Sequence, residues 1–223
     1  MLKDKIRMTK DEYITLAAPA FGEFKDRGSK FLAYTYPAFS EAECLLRLEE
    51  VKKLHPKARH HCYAWRLGTE GTRYRANDDG EPSGTAGRPM LGQIDSAELT
   101  NVVVIVVRYF GGTLLGASGL IQAYRESAAA AFATATKVNK TIEDIFRITF
   151  DYSLMSDVMN ALKKLQIVVL RQEFTTQGEV DFSVRLAEVD TTLLKLKAAI
   201  AKVSTDHATV IDHIEGQIGR AHV

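Results

Sequence analysis

The segment NVVVIVVRY (101–109) sets the framework of this 223-residue chain. Its β-branched run is continuous from Val102 to Val107, which is typical of a strand buried on both faces of a sheet. The glycine-rich loop GGTLLGASG (111–119) follows it, and a second glycine-rich segment, NDDGEPSGTAGR (77–88), precedes it. Because glycine costs backbone entropy wherever it is not needed, each segment is either a turn that the fold requires or a surface that receives a ligand.

Composition places the chain among ordinary globular proteins. Hydrophobic residues make up 46% and the formal net charge is +1, so a general polyanion binder is not indicated. The first 140 residues hold 20 basic and 16 acidic side chains and the remainder holds 9 and 12, which makes the first part the better candidate to meet phosphate. There are two cysteines, no apolar signal region at the N-terminus, and no apolar run near the roughly 18 residues of a membrane span. We expect a cytoplasmic protein with no membrane partner.

Hydrophobic periodicity predicts strands and helices on both sides of the buried segment. In the first part, strands are predicted at 31–36 and 61–67, and helices at 40–56, at 87–97 and from about 120 to 136. Ser40 and Glu43 form a capping box at the start of the first helix. Residues 68–86 are polar and are predicted to be irregular. The last helix is rich in alanine, so we expect it to lie close to a sheet.

The polar segment 137–144 lacks periodicity, and we place a domain boundary in it, between residues 138 and 139. Beyond it the pattern predicts strands at 145–152, 167–174, 180–187 and 208–214, with helices at 153–165 and 191–203. This βαββαβ order is that of a ferredoxin-like domain. The predicted fold class is α+β, with domains at 1–138 and 139–223.

The segment 77–88 carries three acidic residues, Asp78, Asp79 and Glu81, among glycines that favour tight turns. Its last residues open a helix, whose free N–H groups and positive dipole end suit a phosphate or a carboxylate. The same residues also fit a structural role, in which Asp78 or Asp79 forms an Asx-turn and Thr85 caps the helix. Both roles can hold at once.

Three motif tests fail in the glycine-rich segments. Residues 80–88 lack the Lys-Ser/Thr pair of a P-loop, and GASGL (116–120) does not fit the G-x-S-x-G nucleophile elbow. The loop after the buried strand lacks G-x-G-x-x-G. The sequence therefore does not predict a standard nucleoside triphosphatase, serine hydrolase or dinucleotide-binding enzyme.

Other side chains of the first part also allow more than one role. Arg108 either pairs with one of the loop acids, which would join the two glycine-rich segments, or faces a ligand phosphate. His60 and Cys62 point to the same side of a predicted strand, which allows a nucleophile pair or two metal ligands, although a strand cysteine also fits a buried apolar position. Aromatic and arginine side chains suit nucleic acid, but Trp65 and Phe110 are predicted to lie in the core.

Four segments resemble the YigZ/IMPACT family: SKFLA (29–33), ARHHCYAWRLG (58–68), DDGEPSGTAGRPML (78–91) and VVRYFGGTLLGASGLIQAY (106–124). The resemblance implies a first domain similar to domain 2 of ribosomal protein S5 and a second domain similar to the ferredoxin-like domains of elongation factors. Two positions depart from the family pattern, since His61 stands where asparagine is usual and Gln122 where arginine is usual. The second departure removes a cation from the start of the long helix.

Eukaryotic members of this family act in translational control during amino-acid starvation, by binding a ribosome-associated activator of a stress kinase. That partner is not carried over to a two-domain chain. The resemblance implies a non-enzymatic, cytoplasmic, translation-associated regulator that binds RNA, the ribosome or a ribosome-bound partner, with no DNA sequence specificity. The alternative is a small-molecule enzyme or ligand sensor, hydrolase-type or metal-assisted, that uses the three loop acids and His60 around a pocket.

The predicted binding surface comprises both glycine-rich segments, with no metal and no cofactor, and no catalytic residue is assigned. Its residues are His60, Asp78, Asp79, Gly80, Glu81, Ser83, Gly84, Thr85, Gly87, Arg88, Arg108, Tyr109, Gly111 and Gly112.

Overall fold

The structure, a computed structural model, describes residues 11–203 and 216–220. These residues separate into two compact units. One unit comprises residues 13–140, and the other comprises residues 11–12 with the described residues from 141 onward. The predicted domain boundary between residues 138 and 139 stays a prediction.

The first unit is built on a five-stranded antiparallel sheet with the strand order β2-β3-β6-β4-β5. Its strands are β2 (Ala20–Asp26), β3 (Ser29–Pro37), β4 (His60–Leu67), β5 (Arg73–Asn77) and β6 (Val102–Tyr109). Its helices are α1 (Glu41–Leu54), α2 (Gly87–Ser96) and α3 (Gly116–Thr134). A two-stranded sheet joins β1 (Glu12–Leu16) to β7 (Lys137–Thr141). Across the described ranges, the helices all fall short of the length and apolarity that a membrane span requires.

Strand β6 lies at the centre of this sheet, and its side chains alternate between two hydrophobic cores. Val104 and Val106 pack with Met90 of α2 and residues of α3, whereas Ile105 on the other face packs with Val51 of α1. All six residues from Val102 to Val107 are fully buried, which confirms the prediction of a strand covered on both faces. Continuous apolar strands are typical of parallel sheets, but β6 pairs antiparallel with both of its neighbours. Its run is apolar because helices cover both faces of the sheet.

The start of α1 confirms the predicted capping box. The hydroxyl of Ser40 accepts the backbone N–H of Glu43 at 3.2 Å, and the Glu43 carboxylate accepts the N–H of Phe39 at 2.8 Å. Of the four N–H groups that an α-helix leaves unpaired at its start, the Ser40 hydroxyl satisfies that of Glu43, and the Glu43 side chain reaches back to the residue before the cap. Helix α2 also lies where it was predicted, with Pro89 in its first turn.

Two strands lie in polar segments where no strand was predicted. Strand β5 lies within the polar stretch 68–86, and β7 lies within 137–144. Most side chains of both strands are exposed, so neither strand needs the alternation of apolar and polar residues that marks a half-buried strand. Backbone pairing with a neighbouring strand forms them, and side-chain pattern does not record such pairing.

The second unit has the predicted βαββαβ order. Its elements are β8 (Glu143–Phe150), α4 (Met155–Lys164), β9 (Val168–Phe174), β10 (Gly178–Arg185), α5 (Val189–Ala201) and β11 (Gly216–Arg220). Its antiparallel sheet has the order β11-β8-β10-β9, so β10 lies between the two strands that α4 connects. This split βαβ arrangement confirms the α+β class and the ferredoxin-like unit. The strand predicted at 208–214 lies outside the described residues.

Helix α3 approaches β2 so closely that only glycine fits at one position of the strand. A Cβ atom built on Gly22 would lie 2.2 Å from the backbone nitrogen of Ala131. The alanines of α3 leave little side chain between the helix and the sheet, as expected from the sequence. The contact is therefore made partly by backbone atoms, which cannot move aside without shifting the whole helix.

We predict that Gly22→Ala lowers the free energy of unfolding of the first unit by about 1–3 kcal/mol, because the added methyl group overpacks the contact. The matched control is Gly92→Ala in α2, where an added Cβ meets no atom within 4 Å. This control is expected to raise the stability by about 0.5–1 kcal/mol, since alanine favours a helix. Trp65, the only tryptophan of the chain, is buried in β4, so its fluorescence in urea reports on this unit. Equal stabilities for the wild type and Gly22→Ala would contradict the close approach.

Candidate functional site

The acidic segment 77–88 connects β5 to α2 through tight turns. Asp79 has a φ of 42° and Gly80 a φ of 84°, so two successive residues adopt left-handed conformations. The Asn77 side chain accepts the N–H of Asp79 at 2.9 Å, which makes Asn77 the residue that forms the Asx-turn. The prediction had assigned this turn to Asp78 or Asp79.

Asp78 caps the start of α2 from the loop that precedes it. One carboxylate oxygen accepts the N–H groups of Ala86 and Gly87 at 2.9 and 2.8 Å, and the other accepts the N–H of Gly84 at 2.8 Å. Burial raises the pKa of Asp78, but these three donors and the charge of Arg88 outweigh it, so the pKa of Asp78 lies below its ordinary value. The helix N-terminus that was predicted to suit an anion therefore already holds a carboxylate of the chain itself.

Thr85 does not cap α2, which corrects the prediction. Its hydroxyl donates to the carbonyl oxygen of Pro82 at 2.7 Å, and the residue at the N-cap position, Ala86, offers no side-chain acceptor. The carboxylate of Asp78 replaces a local cap because the loop folds back over the helix start. Ser83 and Arg88 are exposed on this part of the loop.

Glu81 forms a buried ion pair with Arg108 at the end of β6. Arg108 Nη1 lies 2.7 and 3.0 Å from the two carboxylate oxygens, and the side chains of the pair are only 4% and 8% exposed. Among the three loop acids, Glu81 is thus the partner of Arg108, and the pair joins the two glycine-rich segments. The guanidinium also lies over the rings of Phe31 and Phe110, 5.5 and 5.7 Å from their centroids.

A chain of hydrogen-bonding groups extends this ion pair into the core. The Tyr124 hydroxyl donates to Glu81 at 2.8 Å, and the Cys62 thiol lies 3.3 Å from that hydroxyl and 2.9 Å from the carbonyl oxygen of Asp78. Burial raises the pKa of both Cys62 and Tyr124. Cys62 is therefore protonated at neutral pH, whereas nucleophilic catalysis requires the thiolate.

Asp79 binds the first two residues of β4 and lies apart from the donors that bind the other two acids. Its carboxylate accepts the backbone N–H of His61 at 2.6 Å, and its carbonyl oxygen accepts from His60 Nδ1 at 2.8 Å. The three loop acids thus face three different donors and do not converge on a common point. Within residues 11–203 and 216–220, no group of three metal-ligating side chains comes together either.

The second glycine-rich segment begins with a backbone contact to the turn between β2 and β3. A Cβ atom on Gly111 would lie 1.9 Å from the carbonyl carbon of Gly28, so no other residue fits there. The N–H of Gly111 donates to the hydroxyl of Ser29 at 3.1 Å. Gly112 has a φ of 88°, and residues 111–114 are exposed.

Tyr109 points to the face of the sheet opposite Arg108. Its hydroxyl lies 3.0 Å from Nδ1 of His55, whose Nε2 lies 2.7 Å from the hydroxyl of Tyr34. Burial lowers the pKa of His55, with a further contribution from His61, so the imidazole that bridges the two tyrosines is neutral. Tyr109 thus fixes the strand end on this face while the Glu81–Arg108 pair fixes it on the other.

A groove of about 700 Å³ opens beside the ion pair. It is lined by Lys57, Ala58, Arg59, His60, Arg108, Tyr109, Phe110 and Leu114. None of these lining residues is acidic. Lys57 and Arg59 form no ion pair with any residue in the described part of the chain. The groove therefore combines unpaired cations with apolar and aromatic surface.

The groove corrects part of the sequence interpretation. Phe110 was predicted to lie in the core but is 59% exposed, because it follows the last paired residue of β6, whereas Trp65 is buried as predicted. His60, Arg108 and Tyr109 are the predicted residues that line the groove. The other five lining residues, Lys57, Ala58, Arg59, Phe110 and Leu114, were not part of the predicted surface. No periodic pattern marks Lys57 or Leu114. The signal for Lys57 is its position beside Arg59 in the short link after α1.

The comparisons with known proteins place the chain in a family. Residues 27–132 match the model of the Impact N-terminal domain. An IMPACT family member of Haemophilus influenzae is 33% identical over 165 residues, which are 73% of this chain and 80% of the relative. The chain belongs to the IMPACT family. Another member, YigZ of Escherichia coli, is 33% identical over 163 residues, or 68% of this chain and 80% of YigZ.

A solved structure has a similar fold along nearly the whole chain. The crystal structure of a hypothetical protein is 27% identical, has a TM-score of 0.67, and covers 93% of this chain and 96% of its own. The family resemblance predicted from DDGEPSGTAGR and RYFGG is therefore confirmed. The residues that carry these motifs are those that hold the acidic segment against the end of β6.

We predict that replacing both members of the buried ion pair costs much less than the two single replacements together. Glu81→Met or Arg108→Met alone leaves a buried charge without its partner, which costs about 3–5 kcal/mol. The double variant removes both charges, so its loss should be well below the sum. The cycle is measured by urea unfolding with Trp65 fluorescence. Additive losses would show that the pair is not coupled.

We predict that Asp78→Asn lowers the free energy of unfolding at pH 7 by about 1–3 kcal/mol, since an amide nitrogen would face an N–H donor. The folded pKa of Asp78 is depressed, so its contribution is complete above the unfolded pKa of about 3.9 and is lost as the pH falls through the folded value. The difference between wild type and variant should therefore shrink as the pH falls below the unfolded pKa of about 3.9 and through the lower folded value. The control is Asp79→Asn, in which the remaining side-chain oxygen can still accept the single backbone N–H that Asp79 binds. We expect it to lose less stability than Asp78→Asn.

Proposed function

We propose that this protein is a non-enzymatic, cytoplasmic regulator of translation that binds RNA, the ribosome or a ribosome-bound partner through the groove beside Arg108. Family membership supports the link to translation, since the family resemblance implies translational control for its eukaryotic members. One observation carries the proposal. Lys57 and Arg59, which form no ion pair with a described residue, line the groove beside the exposed ring of Phe110.

The groove chemistry matches an anionic partner that also has flat apolar surface. Lys57 and Arg59 can meet phosphates or carboxylates, and such contacts become weaker as salt screens them. Phe110 offers an exposed ring on which a nucleic-acid base or a partner side chain can stack. Arg108 contributes less to attraction, because Glu81 neutralises its charge at 2.7 Å.

The enzyme or ligand-sensor alternative draws no support from the loop acids. Each acid serves a donor of the chain itself: helix amides for Asp78, the His61 amide for Asp79 and Arg108 for Glu81. A general acid or base needs a side chain that is free to exchange a proton with a substrate. We therefore interpret the acidic segment as architecture that holds Arg108 and the starts of β4 and α2 in place beside the groove.

We predict that the double reversal Lys57→Glu/Arg59→Glu weakens binding to ribosomes by about tenfold or more, because each lost cation removes a phosphate contact. The assay is co-sedimentation at low and at moderate salt, with filter binding to single-stranded RNA in parallel. The matched control is Lys163→Glu/Lys195→Glu, which changes the net charge equally at exposed positions of the second unit. This control should bind like the wild type.

A third variant, Phe110→Ala, separates stacking from charge. It should weaken RNA binding while leaving the salt dependence unchanged, since stacking on a ring does not release counterions. Absence of any association of the folded wild type at both salt concentrations would contradict the proposal. Equal loss in the groove variant and in the control would show that net charge, and not this groove, is responsible.

A further inference from the structure

Strand β9 lies at the edge of the four-stranded sheet and pairs only with β10 among the described strands. Its apolar side chains are unusually exposed: Val168 is 59% exposed, Leu170 52% and Phe174 42%. An exposed edge strand offers a row of backbone donors and acceptors to another strand. The sequence of this edge decides which strand it can accept.

Among the described strands, only β10 pairs with the backbone of β9, so the outer side of β9 has no strand partner there. The N–H of Thr175 donates to the carbonyl oxygen of Gln177 across the turn to β10, at 3.1 Å. Because the direction of N–H and C=O groups alternates along a strand, those of Gln172 and Phe174 point away from β10. Leu170 lies in a bulge, where the register with β10 shifts between Asp181 and Phe182.

The five residues 170–174, Leu-Arg-Gln-Glu-Phe, follow the order apolar, cation, polar, anion, apolar, so the reversed segment has an anion where the forward segment has a cation. In an antiparallel pair of two such strands centred on Gln172, Arg171 of each copy lies opposite Glu173 of the other. Leu170 of each copy then lies opposite Phe174 of the other. Cross-strand pairs of opposite charge and of apolar side chains both stabilise a sheet.

The charges on β9 and β10 of one copy also favour pairing of β9 with a second copy. Glu173 lies directly opposite Glu179 on β10, and like charges in that position destabilise a sheet. Arg171 of a second copy would place a cation beside Glu173. The Arg171–Glu173 contact within one copy is exposed, so little is lost when each residue pairs with the second copy instead.

We propose that two copies of this protein associate by antiparallel pairing of β9 with β9 across Gln172, which joins their four-stranded sheets. The paired segment is short, so the dimer is weak and populated only at high protein concentration. The two-fold symmetry makes every contact occur twice, which is the simplest way for one edge to recognise itself.

Sedimentation equilibrium of the full chain between about 10 µM and 1 mM tests this dimer. Arg171→Glu and Glu173→Arg each place like charges across the pairing, so each variant alone should stay monomeric. In a mixture of the two variants, each charged side chain of one copy again faces a side chain of opposite charge on the other. The heterodimer should therefore form at least about tenfold more tightly than either homodimer. Far-UV circular dichroism melts of each variant confirm that both are folded.

Gln172→Pro provides an independent variant. Proline is tolerated at an edge position whose N–H faces outward, so the monomer should fold normally while the dimer is lost. A wild type that remains monomeric up to 1 mM would overturn the proposal. A dimer that survives Gln172→Pro, or a mixture of the two charge variants that stays monomeric, would also overturn it.

Discussion

The buried ion pair between Glu81 and Arg108 determines how the first unit is organised around its candidate site. Arg108 occupies a fixed position, because β6 is paired on both sides and the Arg108 guanidinium contacts two aromatic rings. A guanidinium buried there is tolerated only with a carboxylate close by, since an unpaired buried charge is costly. Glu81 supplies that carboxylate and holds the acidic segment against the strand end. Asp78 can then reach the first amides of α2.

This arrangement separates architecture from recognition. The three loop acids bind donors of the chain itself. Lys57 and Arg59, on the link between α1 and β4, form no ion pair with a described residue. Net charge does not reveal this division, because a chain with a formal charge of +1 contains both sets. The structure reveals it by showing that one arginine has a partner and that its neighbours in the groove, Lys57 and Arg59, are solvated.

The sequence predicted those elements in which buried and exposed side chains occupy different faces, or in which both faces are buried. Strand β6, the capped helix α1 and the βαββαβ order of the second unit follow from periodicity, because each buries one or two faces. Strands β5 and β7 leave no such record, since most of their side chains are exposed. Arg108 was predicted to pair with a loop acid or a phosphate, but the choice of Glu81 depends on how the turns at Asp79 and Gly80 fold. The exposure of Phe110 depends on where β6 stops pairing, which composition cannot show.

The groove also limits how a partner can be recognised. At physiological ionic strength, charges are screened over about 8 Å, and the near-neutral chain offers little attraction beyond that range. Lys57 and Arg59 act only on groups that are already close, so the partner must also fit the apolar surface formed by Phe110 and Leu114. A polyanion without such a surface would gain two weak charge contacts and nothing further. For the function that we propose, shape and stacking, more than charge, would therefore decide which anionic partner the groove retains.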